Sequence, residues 1–151
     1  MTSNQDAQRI INEARGWIGT PYIHQASAKG QGADCLGLIR GVWRAIFGEE
    51  PETMPAYSPD WGEIDGEETM LNAAKRHFLP LAIDDLGPGD LVIFRWKQVV
   101  IAKHAGILTS DRHFIHAFER AGVVETTLGN PWRARIAAGF RFPDIPQKSQ
   151  S

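Results

Sequence analysis

The sequence predicts an α+β domain in which N-terminal helices pack on an antiparallel sheet of roughly five strands. Three observations support this class. The chain has 151 residues, 42% hydrophobic and 23% charged, as in ordinary globular domains. Apolar residues recur at helical spacing near the N-terminus. After the turn LGPGD, short apolar runs succeed one another, whereas a parallel sheet would show strands alternating with helices.

Two helices are expected first. Residues 5–17 carry apolar residues at helical spacing with charged residues on the other face. The glycine-containing stretch 19–32 is typical of a loop. A second helix follows, with Asp34 in the N-cap region and Gly48 suited to the C-cap. Cys35 therefore lies in the first turn of this helix.

The whole chain is expected to form one domain, residues 1–151, without a separate second core. Residues 49–85 are interpreted as an irregular and partly helical insertion, with prolines and acids at 49–60 and a helix at 67–78. The polar segment 145–151 is expected to be a flexible tail.

The antiparallel sheet is predicted from five apolar runs in the C-terminal half. Their composition and the turn residues between them are typical of strands. In chain order these runs are DLVIFRW, VVIAKHAGILT, RHFIHAF, AGVVETTL and RIAAGFRF.

The second and third runs predict a hairpin that brings two histidines together. If the loop is Thr109, Ser110 and Asp111, the residue numbers of each facing pair add up to 220, and His104 lies opposite His116. Opposite residues share one face of a sheet, so the two imidazoles should be neighbours.

Cys35 is a candidate nucleophile because the start of a helix stabilises a thiolate. The neighbouring Asp34 opposes this by raising the pKa of a thiol, so an imidazolium partner is expected to balance it. A zinc site formed by Cys35, His104 and His116 is the chemical alternative. The sequence has no short paired ligand spacing, so neither a metal nor another cofactor is predicted.

A cysteine followed by histidines is also the order found in papain-like enzymes. The blocks DCLGLIR, GDLVIFRW, HAGIL and RHFIHAF resemble the NlpC family of papain-like cell-wall peptidases. GTPY resembles the segment that supplies an active-site tyrosine in that family, here Tyr22. The resemblance runs from Ile10 to Val124 and is interrupted by the insertion at 49–85.

This resemblance implies a papain-like NlpC fold and a cysteine peptidase that hydrolyses amide bonds in peptidoglycan stem peptides. It implies a triad of nucleophile, base and orienting residue, in that order: Cys35, His104 and His116. It also implies substrate binding by Tyr22 and Asp34, although an N-cap role is an equal alternative for Asp34. Leu36 stands where many members have a serine that contributes to substrate binding.

The partners expected are peptidoglycan peptides and tail or baseplate proteins. The polar N-terminus does not look like a signal peptide, and the apolar runs are too short for membrane insertion. The net charge of −2 and the dispersed basic residues argue against nucleic acid. The chain further resembles the small peptidases of phage tails and gene transfer agents. Synthesis in the cytoplasm and delivery to the periplasm or cell wall in a tail are therefore expected.

Two other functions remain open, namely an acyltransferase on the same scaffold and a structural tail component without catalytic activity. The stretch 49–60, with Tyr57 and Trp61, is a candidate docking surface. Trp61 and Trp96 are interpreted as packing residues before sugar-stacking ones. His24 and His77 are expected at the surface, with His24 close enough to Tyr22 to line the cleft.

Overall fold

The computed structural model of the chain describes residues 4–51, 69–95 and 104–146. Each helix of this part of the chain uses an apolar face to pack on the sheet or on another helix. The helices are α1 Asn4–Arg15, α2 Cys35–Phe47, α3 Thr69–His77 and the short α4 Asn130–Arg133. The strands are β1 Ser27–Ala28, β2 Gly32–Ala33, β3 Leu79–Leu81, β4 Leu91–Phe94, β5 His104–Leu108, β6 His113–Phe118, β7 Gly122–Thr127 and β8 Ile136–Arg141.

The main sheet is antiparallel and has the strand order β3-β8-β4-β5-β6-β7. β4 to β8 correspond to the five predicted strands, so the predicted α+β class with an antiparallel sheet is confirmed. β3 is an additional edge strand inside the segment 49–85. Its three residues include Pro80, and proline within a short run argues against a strand unless it lies at an edge.

The larger apolar core lies between the sheet and the helices α1 and α2, which contact each other and β5. The alternation of side chains along β5 and β6 sends odd-numbered residues to this core and even-numbered ones to the opposite face. A smaller apolar cluster covers that face and is packed against Trp132 at the end of α4. Its buried members are Val92, Phe94, Leu108, Phe114 and Leu128.

The N-terminal turns of α2 are pressed against the preceding loop and α1. A Cβ at Gly37 would lie 1.8 Å from the carbonyl oxygen of Ala26, and one at Gly41 would lie 2.0 Å from the Trp17 ring. These distances are far below van der Waals contact, so the loop and the indole occupy space that only glycine leaves. The position of the helix start is therefore fixed by packing.

Within the described ranges, none of the helices has the length and apolar content required to cross a membrane. Tyr57 and Trp61 of the predicted docking surface lie outside the described residues, as does Trp96. At the C-terminal end, Ile145 is buried in the larger core with 7% of its surface exposed.

Candidate active site

Cys35 is the first residue of α2 and is half-buried. Asp34 is the N-cap, as predicted, and its Oδ1 accepts the backbone N–H of Gly37 at 2.7 Å. A backbone N–H of Ala105 donates to the Cys35 sulfur. This contact places the thiol against β5, one residue from His104.

His104 and His116 form a direct hydrogen bond on the face of the sheet that carries the smaller cluster. His104 Nε2 lies 2.7 Å from His116 Nδ1, and the two residues are 6% and 1% exposed. On its other side, His116 Nε2 lies 2.9 Å from Thr126 Oγ1 on β7. A line of polar groups therefore runs from β5 through β6 to β7.

The predicted hairpin register is wrong, although the predicted neighbours are correct. Leu108 lies opposite Phe114 and Ile107 opposite Ile115, so facing residues sum to 222. The loop is displaced by one residue along the chain: the N–H of Thr109 bonds to the carbonyl of His113, which leaves Ser110, Asp111 and Arg112 between them. A shift of two residues preserves the face, and diagonal neighbours remain within reach of aromatic side chains.

Gly106 makes room for the diagonal pair. In the observed register it faces His116, and a Cβ at this position would lie 2.8 Å from a ring carbon of Phe114 and 3.3 Å from the Cβ of His116. A side chain here would push the β6 side chains away from β5. The glycine of HAGIL therefore has a packing role that the sequence pattern did not reveal.

Aromatic rings surround the histidine pair, at centroid distances of 4.3 to 6.3 Å from one or both imidazoles. They exclude water, and burial therefore penalises a charged imidazole. Burial, with the neighbouring His116, lowers the pKa of His104 to about 3, and burial lowers the pKa of His116 to about 4. Both are neutral near pH 7. The rings belong to Phe94, Phe114, Phe118 and Trp132.

The cysteine is also neutral at rest. Burial and then the charge of Asp34 raise the pKa of Cys35 to about 12, and backbone N–H groups including that of Ala105 oppose this rise only in part. The prediction that a resting imidazolium would hold the thiol as a thiolate is therefore wrong. Asp34 acts on the thiol in the predicted direction, but the imidazole of His104 carries no compensating charge.

Tyr22 lies close enough to Cys35 for ionisation of one side chain to disfavour ionisation of the other. Burial raises the pKa of Tyr22 to about 12, with further increases from Cys35, Asp34 and Glu119. The backbone of Tyr22 forms an isolated bridge with Ala33, immediately before the N-cap. The structure therefore brings the predicted tyrosine to the same end of α2 as the cysteine.

Asp34 has an evident role in the fold. It is 2% exposed, and its Oδ2 accepts the N–H of Gln25 at 2.7 Å while Oδ1 caps the helix. Gln25 has φ +66°, a left-handed conformation that this hydrogen bond helps to hold. His24 Nδ1 lies 3.8 Å from the same carboxylate, so His24 belongs to the rim of the site.

Leu36, the residue after the cysteine, lines an apolar cavity between α2 and α3, together with Ala105 of β5. Within the described residues, no group of three or more His, Cys, Asp or Glu side chains is arranged to hold a metal ion. The zinc alternative built from Cys35 and the two histidines thus has no ligand cluster in this part of the chain.

Thr126 and Trp132 were not expected in the site from the sequence. Thr126 could have been found from the β6–β7 pairing, because its neighbour across the strands is Phe114, two residues from His116. Trp132 arrives from α4, and no sequence pattern relates it to β5.

Known proteins resemble this chain over most of its length. The model of the NlpC/P60 family matches residues 19–141. Murein DD-endopeptidase MepS/Murein LD-carboxypeptidase of Escherichia coli (strain K12) is 28% identical over 128 residues, covering 84% of this chain and 58% of that protein. Gamma-DL-glutamyl hydrolase of Bacillus subtilis (strain 168) is 26% identical, covering 90% of this chain and 29% of that protein.

Solved structures support the same fold. A crystal structure of an NlpC/P60 family protein from Bacillus cereus ATCC 10987 superposes with a TM-score of 0.66 at 22% identity, covering 93% of this chain and 40% of that chain. The chain thus spans little more than half of the Escherichia coli relative and less of the other two proteins. With the family model matched over residues 19–141, the chain belongs to the NlpC/P60 family.

Proposed function

We propose that this chain is a cysteine peptidase that hydrolyses amide bonds in peptidoglycan stem peptides through Cys35, His104 and His116. The observation that carries the proposal is the 2.7 Å hydrogen bond between His104 Nε2 and His116 Nδ1, with the Cys35 sulfur hydrogen-bonded to the backbone N–H of Ala105, the residue after His104. A nucleophile, a base and a group that orients the base are the components of covalent acyl transfer. The relative from Escherichia coli is named as a murein endopeptidase, which supports the substrate class.

The proposed first step couples proton transfer from the Cys35 thiol to His104 Nδ1 with attack by the sulfur. Sulfur attacks the scissile carbonyl carbon, and its electron pair moves to the oxygen. Because the pKa of Cys35 is near 12 and that of His104 near 3, the proton moves as the carbon–sulfur bond forms and not in advance. The backbone N–H of Cys35, in the first turn of α2, is a donor for the resulting oxyanion.

Collapse of the intermediate breaks the carbon–nitrogen bond and leaves a thioester on Cys35. The imidazolium of His104 gives its proton to the leaving amine. Water then attacks the thioester, with His104 taking a proton from it, and the acid product and the thiol are released. Throughout, His104 Nε2–H would donate to His116 Nδ1, which fixes the imidazole ring and leaves Nδ1 as the atom that takes and returns the proton.

The test is digestion of purified muropeptides by the purified chain, followed by mass spectrometry. Cleaved stem peptides are expected with the native chain and not with Cys35→Ala or His104→Ala. An exposed histidine on the other face of β6 supplies the matched control, because His113→Ala should cleave at the native rate. Transfer of the acyl group to an added amine in place of water would support the acyltransferase alternative. Intact muropeptides with the native chain would contradict the peptidase proposal.

We also propose that the enzyme acts from a phage-like or gene-transfer-agent tail. The resemblance of its sequence blocks to small tail peptidases supports this, and the net charge of −2 offers little attraction to an anionic envelope. Attachment to a tail would supply a high local concentration at the wall. Mass spectrometry of purified particles should detect the chain. Its recovery in free fractions, with particle entry unaffected by its deletion, would contradict the proposal.

A further inference from the structure

Thr126 continues the hydrogen-bonded line that starts at His104. It lies on β7, which pairs with β6 along its whole length, and its Oγ1 is 2.9 Å from His116 Nε2. The side chain is half-buried, and His116 itself is 1% exposed. Both nitrogens of His116 therefore have protein partners, one on each neighbouring strand.

The proton positions along this line are linked. A neutral imidazole carries one N–H and one lone pair, so His116 can donate at one nitrogen only. His104 can accept the thiol proton at Nδ1 only if its own N–H is at Nε2. That N–H must then be accepted by His116 Nδ1, which requires the proton of His116 to be at Nε2, facing Thr126 Oγ1.

The opposite arrangement would disable the base. If His116 carried its proton at Nδ1, it would donate to His104 Nε2, and the proton of His104 would occupy Nδ1. The threonine hydroxyl can accept from Nε2–H or donate to an unprotonated Nε2, so it pairs with His116 in either arrangement. A hydrocarbon in its place would leave the Nε2–H as a buried donor without an acceptor, which is less readily tolerated than an unpaired acceptor. The hydroxyl of Thr126 therefore keeps the arrangement with Nε2–H on His116 satisfied, and its removal penalises that arrangement more than the opposite one.

We propose that Thr126 is a positioning residue: by accepting the Nε2–H of His116, it holds both histidines in the tautomer that leaves His104 Nδ1 ready to take a proton. The proposal rests on the proposed peptidase function for its kinetic consequence. The tautomers themselves can be measured without any substrate.

The first experiment is nitrogen-15 NMR of the histidine side chains near pH 7. The native chain should show His104 and His116 as Nε2–H tautomers. In Thr126→Val, His116 should acquire a substantial Nδ1–H population, while Thr126→Ser should resemble the native chain. The matched control is Thr127→Val, one residue along the same strand and exposed on the other face. A native His116 with its proton at Nδ1, or tautomers unchanged in Thr126→Val, would overturn the proposal.

The second experiment measures muropeptide hydrolysis by the same variants. Thr126→Val should lower kcat roughly tenfold with little change in KM, since a buried N–H without an acceptor disfavours the reactive tautomer. Thr126→Ser should restore kcat to within about twofold, because the hydroxyl is retained. Equal kcat in Thr126→Val and Thr127→Val would overturn the positioning role. Native tautomers as expected but no hydrolysis by any variant would overturn the proposed function and leave the tautomer assignment standing.

Discussion

Acidification below the unperturbed histidine pKa of 6.5 should destabilise the fold through its buried imidazole pair. In the folded chain the pKa of His104 is about 3 and that of His116 about 4, because burial disfavours their charged forms. In the unfolded chain both have the ordinary value of 6.5. Between these limits the unfolded chain binds more protons, so the unfolding free energy falls as the pH falls.

The magnitude follows from the number of protons. A histidine that is protonated only in the unfolded chain lowers the unfolding free energy by about 1.4 kcal/mol per pH unit. For the pair, a decrease from about pH 6 to about pH 5 should remove about 2 kcal/mol, since both are then largely protonated when unfolded. The stabilisation that comes from burying the neutral His104–His116 pair is fully present above pH 6.5. It is lost as the pH falls toward the folded-state pKa values of about 4 and about 3.

In this pH range the histidines of the unfolded chain take up protons, whereas the carboxylates titrate mainly at lower pH. Burial raises the pKa of Glu50, but hydrogen bonds from Arg40 and Arg44 lower it by more. The pKa of Glu50 is therefore below its ordinary value of 4.5. The contribution of ionised Glu50 to the unfolding free energy is lost only as the pH falls below about 4.5. A slope measured between about pH 6 and about pH 5 therefore reports mainly on histidine.

Urea unfolding at several pH values supplies the measurement. His116→Gln should roughly halve the slope, because glutamine does not titrate. His113→Gln, which replaces an exposed histidine on the same strand, should leave it unchanged. A slope in His116→Gln equal to that of the native chain would refute the assignment of the acid sensitivity to the buried pair.

Three further outcomes are expected. Iodoacetamide should label Cys35 slowly at neutral pH and faster only well above pH 9, because the pKa of the thiol is raised to about 12; fast labelling near pH 6.5 would show a thiolate. Gly106→Ala should destabilise the fold by about 1–3 kcal/mol and lower hydrolysis, since its methyl would meet Phe114 and His116; native stability by urea unfolding would contradict the contact. Asp34→Ala should lower the unfolding free energy by about 2–4 kcal/mol, because it removes both the helix cap at Gly37 and the hydrogen bond to Gln25 in the preceding loop. A smaller loss by urea unfolding would show that the loop rearranges.

The positions of the main elements could be predicted because they depend on local patterns. Helical spacing predicted α1, and the Asp34 cap together with Gly48 predicted the bounds of α2. The strands β4 to β8 were predicted from compact apolar runs between turns. β3 was missed because its three residues, one of them a proline, are too few to show the alternation of apolar and polar residues that is typical of a strand. Its strand geometry comes from pairing with β8.

The histidine pair was predicted from a hairpin register that is wrong, but the two residues remain neighbours because the parity of the facing sum is unchanged. Two residues on antiparallel strands share a face whenever the sum of their numbers has the parity of the facing sum. Changing that sum from 220 to 222 left His104 and His116 on one face and moved them from opposite to diagonal positions. The diagonal contact in turn depends on Gly106, whose missing side chain makes room at the position facing His116.

Protonation states could not be predicted in the same way, because desolvation depends on every group packed around a site. The prediction from the sequence rested on the helix start and an imidazole, which favour an ion pair with Cys35, and on Asp34, which opposes the thiolate. It did not include Phe94 from β4 or Trp132 from α4, whose rings lie 5.9 and 5.7 Å from the His104 ring. Their packing removes the water that would stabilise an imidazolium, and with it the charge that would have stabilised a thiolate on Cys35. A neutral pair can still react, provided that the proton of His104 resides on Nε2, so the position of that proton matters more here than a resting charge.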